Sequence, residues 1–171
     1  MNVADKIAGW FHEKGISTIF GIIGAGNVSI FDAVARHGKT HIVCMHHEQA
    51  AVMAAGAYYR VSGRISVALV TTGAGSTNAI TGVVAAYMDS TPVLVISGNE
   101  ASKYLGARTR VLGVQGYDSS GMVVAHTKWA ARSQAGTPVT AQLDIALSNA
   151  MQPRQGPCWL DIPKDIQNAA V

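Results

Sequence analysis

The chain has 171 residues, 49% of them hydrophobic and 13% charged, with a formal net charge of +3. This length suits one ordinary domain with a buried core, and the high apolar content indicates a surface buried in an oligomer. The apolar runs stay below the roughly 18 residues of a membrane span. Lysine and arginine are scattered without a basic stripe, so neither a membrane nor a nucleic acid is expected as a partner.

The cysteines and the first residues indicate the compartment. Cys44 and Cys158 lie in apolar segments far apart in sequence. We expect both to be reduced thiols buried in core strands, not a disulfide or a metal pair. The stretch MNVADKIAGWFHEKG is charged throughout and has no apolar core, unlike a signal peptide. A cytoplasmic location is therefore expected.

Helical and strand periodicities alternate along the chain. Helices are predicted at residues 3–14, from the first glycine-rich turn to about 37, from Glu48 onward, from the second such turn to about 88, and at 137–151. Strands are predicted at 18–20, 41–45, 65–70, 92–97, 126–133 and 157–162. Residues 98–122 lose the periodicity and are predicted as a long loop, a type that is commonly functional.

This alternation of strand and helix at short intervals predicts an α/β fold. We expect a three-layer, doubly wound, mostly parallel sheet with helices on both faces, as one domain over residues 1–171.

Glu48 is the first candidate for chemistry. It follows the predicted strand 41–45 and opens a helix whose inner face is mostly alanine and glycine, which allows another backbone or a flat ligand to come close. A poorly solvated carboxylate has its neutral form favoured and can give a proton to a ring nitrogen. The structural alternative is that Glu48 only complements the positive end of its helix.

Two glycine-rich turns follow strands and open helices, at Gly24-Ala25-Gly26 and at Gly73-Ala74-Gly75. Neither has the third glycine of a dinucleotide fingerprint, and Asn78 stands at that position in the second turn. No acidic residue follows at the distance of the ribose-binding carboxylate. The alternatives that stay open are tight strand-to-helix packing and one pocket shared with Glu48.

Five motifs carry a resemblance to a known family. In order they are Phe20-Gly21 with Gly24, His47-Glu48-Gln49-Ala50-Ala51, Thr72-Gly73-Ala74-Gly75-Ser76-Thr77-Asn78, Ala86-Tyr87-Met88-Asp89-Ser90-Thr91-Pro92 and Asp161-Ile162-Pro163-Lys164-Asp165. The chain resembles the N-terminal, pyrimidine-binding domain of thiamine-diphosphate enzymes, in the acetolactate-synthase-like branch. The resemblance implies that Glu48 contacts N1′ of the aminopyrimidine and activates the cofactor. It also implies decarboxylation of a 2-oxo acid, after which the enamine is joined to an acceptor.

The resemblance also implies roles for other residues. Gly24 and Ala25 match a loop near the exocyclic amine of the cofactor, and Thr72, Gly73 and Asn78 match the turn beside the pyrimidine. Gln115 matches a second catalytic residue, a glutamine that faces the reacting carbon, although a solvated loop glutamine is the alternative. Pyruvate-decarboxylase-like enzymes carry an acid where Ala25 stands, so simple aldehyde release is less favoured than carboligation. Ile23 replaces the family's usual proline.

The family's second site is missing from the sequence. Diphosphate and Mg²⁺ are anchored there by Gly-Asp-Gly and Asn-Asn, and this chain has neither a Gly-Asp nor an Asn-Asn dipeptide. We therefore expect no metal site on this chain. We expect a partner subunit that binds the diphosphate and holds the Mg²⁺, in an α2β2 assembly, with this chain as the small subunit. Whether it is a natural subunit or part of a longer enzyme stays open.

Three alternatives also stay open. One is a simple decarboxylase subunit of the sulfopyruvate or phosphonopyruvate type. Within the enzyme hypotheses, Lys103, Arg108 and Arg110 are candidates to bind an anionic substrate, a sulfonate, phosphonate or carboxylate, with ordinary solvated loop cations as the alternative. Another is a non-catalytic regulatory or scaffold subunit. The most distant is a nucleotide-binding module.

Overall fold

The computed structural model describes residues 1–106 and 109–171 of the chain. Its six strands are β1 (Thr18–Gly21), β2 (His41–Cys44), β3 (Val67–Val70), β4 (Leu94–Asn99), β5 (Trp129–Arg132) and β6 (Cys158–Pro163). Its helices are α1 (Val3–Glu13), α2 (Val28–His37), α3 (Glu48–Ser62), α4 (Ala74–Met88), α5 (Ser102–Leu105), α6 (Ser119–Val123), α7 (Val139–Met151) and α8 (Lys164–Gln167), with a 3₁₀ turn at Val124–His126.

The strands form one parallel sheet in the order β2-β1-β3-β4-β6-β5. Strand residues alternate between two apolar layers, as the period of two in a strand requires. Ile19, Leu69, Leu94 and Leu160 pack with α1, α2 and α7, whereas Trp159 and its neighbours pack with α3 and α4 on the other face. The predicted doubly wound α/β architecture is therefore confirmed.

The predicted long loop is wrong in part. Within residues 98–122, β4 continues to Asn99, and α5 and most of α6 follow. Both helices are too short to show a helical hydrophobic period in the sequence. The predicted strand 126–133 begins only at Trp129, because the 3₁₀ turn occupies its first residue.

The predicted burial of Cys44 and its strand is also wrong. β2 is an edge strand that pairs only with β1, and Cys44 is exposed, whereas Cys158 lies fully buried in β6. A strand's own residues do not reveal whether it has one neighbour or two, and an apolar edge strand therefore resembles a central one in sequence.

No described helix, within residues 1–106 and 109–171, has the length and apolar character that crossing a membrane requires.

The two thiols should differ sharply in reactivity. Burial raises the pKa of Cys158 to about 12, so roughly one in ten thousand of these thiols is the reactive thiolate at pH 8. We expect maleimide at pH 8 to add one equivalent to the native chain, at Cys44, as read by peptide mass spectrometry. The denatured chain, as control, should take up two equivalents. Native modification of Cys158 at a similar rate would contradict the described burial.

Candidate functional site

The candidate site lies at the carboxyl ends of β1 and β3. The chain leaves β1 toward β2 on one side and leaves β3 toward β4 on the other, so these adjacent strands form the switch point of the sheet. Ligands of open α/β sheets bind at such a point. The two glycine-rich turns predicted from the sequence both follow these strands and therefore meet here.

The first turn packs directly on the ends of β3 and β4. The Gly26 N–H donates to Thr71 Oγ1 at 3.0 Å, and a Cβ added at Gly24 would lie 2.6 Å from the Thr71 side chain. A Cβ at Gly98 would lie 1.9 Å from the Gly26 carbonyl oxygen. The absence of these side chains allows the turn to lie across the sheet edge, while Ala25 stays exposed on its outer side.

Glu48 begins α3 directly beside the start of α4. His47 caps α3 by accepting the Gln49 N–H on its Nδ1 at 3.2 Å. The carboxylate of Glu48, with only 8% of the residue exposed, accepts from Asn78 Nδ2 at 3.0 Å through Oε2. Its Oε1 has no hydrogen-bond partner among the described residues. A residue that only complemented its own helix would not need the bond to a second helix.

Close packing of α3 on α4 brings Glu48 and Asn78 together. Ala51, Ala55 and Gly56 are buried on the inner face of α3, and a Cβ added at Gly82 of α4 would lie 2.6 Å from Val52 Cβ. The small residues predicted to allow a close approach therefore admit the neighbouring helix. A Cβ added at Gly75 would lie 3.4 Å from Glu48 Oε1, so the second turn reaches the carboxylate without a side chain.

Gln115 contacts the second turn, although the residue as a whole is exposed. Its Nε2 donates to the Thr72 carbonyl at 3.4 Å, and Thr72 in turn donates to the Gly98 carbonyl at 3.3 Å. Gly73 has a φ of +67°, and a Cβ there would lie 3.1 Å from Gln115 Cδ. The side chain is therefore both solvent-exposed and in contact with the turn, and its assignment as a second catalytic residue stays a prediction.

The predicted site residues thus gather at one edge of the sheet, and a pocket shared by them stays a prediction. A cavity of about 490 Å³ lies elsewhere, between the start of α1, the 134–138 turn and residues 165–171, and it contains none of them. Of the loop cations, Lys103 lies over the ring of Tyr104 at 4.8 Å and Arg110 is exposed. Arg108 lies outside the described residues.

Sequence reasoning missed a buried polar cluster at the ends of β4, β5 and β6. Asp161, fully buried, accepts from Ser97 at 2.7 Å, from Asn99 at 2.6 Å and from Arg132 Nε at 3.0 Å. Burial raises the pKa of Asp161, against these three hydrogen bonds, which lower it. The sequence did contain a signal for this cluster, because polar residues stand toward the ends of strands that are otherwise apolar.

This cluster extends to the segment that carries Gln115. Asn99 Nδ2 and Arg132 Nη2 donate to the Tyr117 carbonyl at 3.0 and 3.3 Å. The Tyr117 hydroxyl bonds the Ser76 hydroxyl of α4 at 2.7 Å. The segment after Gln115 is therefore tied both to the strand ends and to the helix that carries Asn78.

Comparison with known proteins identifies relatives of the whole chain. A family model described as the N-terminal TPP binding domain of thiamine pyrophosphate enzymes matches residues 1–128. The acetolactate synthase isozyme 2 large subunit of Escherichia coli K12 is 35% identical over 170 residues, which cover 99% of this chain and 30% of that protein.

Two further relatives are also named as acetolactate synthase large subunits. The acetolactate synthase large subunit of Buchnera aphidicola (subspecies Schizaphis graminum) is 39% identical over 158 residues, covering 90% of this chain and 26% of that protein. A probable acetolactate synthase large subunit of Methanocaldococcus jannaschii is 32% identical over 171 residues, covering 100% and 28%. The chain spans less than a third of the length of these relatives.

Gly98→Ala should destabilise the chain and displace the first turn. The new Cβ would meet the backbone of Gly26, which has no flexible side chain to move aside, so we expect a loss of about 1–3 kcal/mol or more in the free energy of unfolding. Denaturant titration measures this loss. As control, Gly9→Ala in α1, where nothing lies within 4 Å, should stabilise by about 0.5–1 kcal/mol. Equal effects of the two substitutions would refute the packing described for the turn.

Proposed function

Because the chain belongs to the family of N-terminal TPP-binding domains of thiamine pyrophosphate enzymes, we propose that it activates thiamine diphosphate for decarboxylation of a 2-oxo acid and carboligation. The chain is homologous to part of acetolactate synthase large subunits, and this homology favours acetolactate-synthase-like chemistry. The observation that carries the proposal is the buried carboxylate of Glu48, which is fixed on one oxygen by Asn78 and has no hydrogen-bond partner on the other within residues 1–106 and 109–171.

The residues at the sheet edge fit the aminopyrimidine end of this cofactor. The second glycine-rich turn approaches the carboxylate closely, because a Cβ added at Gly75 would lie 3.4 Å from Glu48 Oε1, and the side chain of Gln115 lies against Gly73. A ring nitrogen needs a carboxyl partner, which Glu48 offers through Oε1. Gly24 and Ala25 supply backbone for the exocyclic amine, while Thr72 and Asn78 hold the turn and the carboxylate in place.

Thiamine diphosphate, when bound, supplies the carbon nucleophile and the electron sink for loss of CO2. The part of this chain is proton transfer and positioning. Glu48 holds and moves a proton at the aminopyrimidine, with its position set by the hydrogen bond from Asn78. Gln115, held against Gly73, presents a side-chain amide toward the reacting carbon and orients the substrate.

A partner subunit is part of the proposal. We propose, as the resemblance implies, that a diphosphate-binding subunit holds Mg²⁺ and joins this chain in an α2β2 assembly. Met53 and Val61 of α3 and Met88 of α4 are exposed apolar residues on the two helices that begin at the site, which suits contact with another subunit.

Two alternatives make different predictions. A decarboxylase subunit of the sulfopyruvate or phosphonopyruvate type would release an aldehyde and require no acceptor. A regulatory or scaffold subunit would leave thiamine diphosphate affinity unchanged when Glu48 is substituted. The second alternative does not explain a buried acid that bonds across two helices.

The testing experiment is CO2 release from a panel of 2-oxo acids by this chain with its co-purifying partner. It is run with and without thiamine diphosphate and Mg²⁺, and the products are identified as ligated acids or free aldehydes. Release that depends on the cofactor and yields ligated products supports the proposal. Aldehydes alone would identify the simple decarboxylase, and CO2 release and cofactor affinity that are both unchanged when Glu48 is substituted would identify the scaffold.

Glu48→Gln should lower the rate of CO2 release by about 10²–10⁴-fold, because the amide holds the same space without a proton to transfer. Asn78 can still contact the substituted side chain, so cofactor binding measured by calorimetry should weaken far less than the rate. Glu13→Gln, at the exposed end of α1, is the matched control and should behave as the unsubstituted chain. Full activity of Glu48→Gln would refute the proposed role.

A further inference from the structure

A second acid, Glu100, is buried just beyond the end of β4. Only 7% of the residue is exposed, and its Oε2 accepts from Lys164 Nζ at 2.7 Å. Lys164 is the first residue of α8, directly after β6, so the ion pair joins the carboxyl ends of two neighbouring strands. Only the lysine of the pair is accessible to solvent: the side chain of Lys164 is 42% exposed and that of Glu100 is 9% exposed.

The segment Leu112–Gly116 folds around the side chain of Glu100. The Gly116 N–H donates to the Leu112 carbonyl at 2.8 Å and closes the turn, and the Val114 N–H donates to Glu100 Oε1 at 3.3 Å. A Cβ added at Gly113 or at Gly116 would lie 2.9 Å from Glu100 side-chain carbons. Gly113 also has a φ of +66°, a conformation that glycine adopts without strain.

This turn carries Gln115 at its tip. The carboxylate of Glu100 lies inside the turn, and the side chain of Gln115 lies outside, against Gly73 and the Thr72 carbonyl. A chain of contacts thus runs from Lys164 through Glu100 and the turn to Gln115 and then to the glycine-rich turn beside Glu48. Removal of the acid would leave the turn with an empty centre and an unpaired Val114 N–H.

We propose that Glu100 is a positioning residue, which holds the 112–116 turn so that the side chain of Gln115 stays on Gly73. The expected effect of this positioning on turnover rests on the function proposed above. Glu100 does not touch the reacting atoms and acts only through Gln115. Lys164 fixes the carboxylate from the opposite side and satisfies its charge.

The charge state of Glu100 supports this role at neutral pH. The pKa of Glu100 is lowered, chiefly by the hydrogen bond from Lys164 and also by the N–H groups of Val114 and Gln115, against burial, which raises it. A group whose pKa is lower in the folded state stabilises that state above the ordinary pKa and loses this effect as pH falls through the folded value. The turn should therefore be held throughout the neutral range and released only in acid.

The first test examines position without any need for activity. In amide-resolved NMR spectra of the 171-residue chain, Glu100→Ala should shift or broaden the signals of Val114, the Gln115 side-chain amide and Gly73. Glu100→Gln keeps an oxygen that can accept the Val114 N–H and should restore part of the original spectrum. Asp144→Asn is the control, because Asp144 also pairs with a lysine at 2.7 Å and accepts an N–H, from Trp10, at 3.0 Å, far from the turn. An unchanged Gln115 signal in Glu100→Ala would overturn the proposal.

The second test measures turnover in the complete enzyme that contains this chain. Glu100→Ala should lower kcat by about 10–100-fold, since small misplacements of a positioning group cost that much, while thiamine diphosphate affinity changes less than about threefold. When Glu100→Ala is added to Gln115→Ala, kcat should hardly fall further. Glu100 affects turnover only by positioning the side chain that Gln115→Ala already removes. Independent, multiplying losses would overturn the proposal, as would unchanged turnover in Gln115→Ala.

Failure of this proposal differs from failure of the proposed function. If Glu48→Gln keeps full activity, the function fails, whatever Glu100→Ala does to the NMR signals of Gln115. If Glu48→Gln is inactive but Glu100→Ala retains full kcat, only the positioning role fails. Should Glu100→Ala not fold, as judged by its NMR dispersion, Glu100→Gln carries both tests, with a smaller shift and a smaller loss expected in the same direction.

Discussion

The packing of α3 on α4 determines the geometry of the site. Glu48 and Asn78 are 30 residues apart in sequence and meet because both helices begin at the same sheet edge and approach closely along small residues. A larger residue at Gly82 would separate the helices by pushing on Val52, and the carboxylate would lose its partner. The chemistry of one side chain therefore depends on packing that extends more than a turn along both helices.

Close packing also requires small residues in the backbone around the sheet edge. Gly26, Gly98, Gly73 and Gly75 lie where another atom occupies the space of a side chain. The turns after β1 and β3 can then lie flat on the strand ends, next to the buried carboxylate of Glu48. A site of this kind presents an open surface. This agrees with the function proposed here, in which a second subunit completes the cofactor-binding site.

Local patterns in the sequence were sufficient for the fold class and for the main candidate. Apolar runs of strand length, two glycine-rich turns and a lone acid at a strand end predicted the α/β sheet and the position of Glu48. Strand order was not readable, and so Cys44 was wrongly placed in the core. The Glu100–Lys164 pair spans 64 residues and has no local pattern, because each residue alone resembles an ordinary surface charge. Gln115 could be named only from the resemblance, since its contacts depend on a turn that folds around Glu100, and Glu100 pairs with the distant Lys164.

The turn around Glu100 has a consequence for how this sequence can change over generations. Two glycines and one acid pack against one another, and a side chain gained at Gly113 or Gly116 would lie 2.9 Å from the side chain of Glu100. The backbone restricts both glycines as well, because Gly113 has a φ of +66° and a Cβ at Gly116 would lie 2.5 Å from the Leu112 carbonyl oxygen. A smaller residue at position 100 would leave a cavity and a loose turn without freeing either glycine, so mutational change at all three positions is constrained by the same turn.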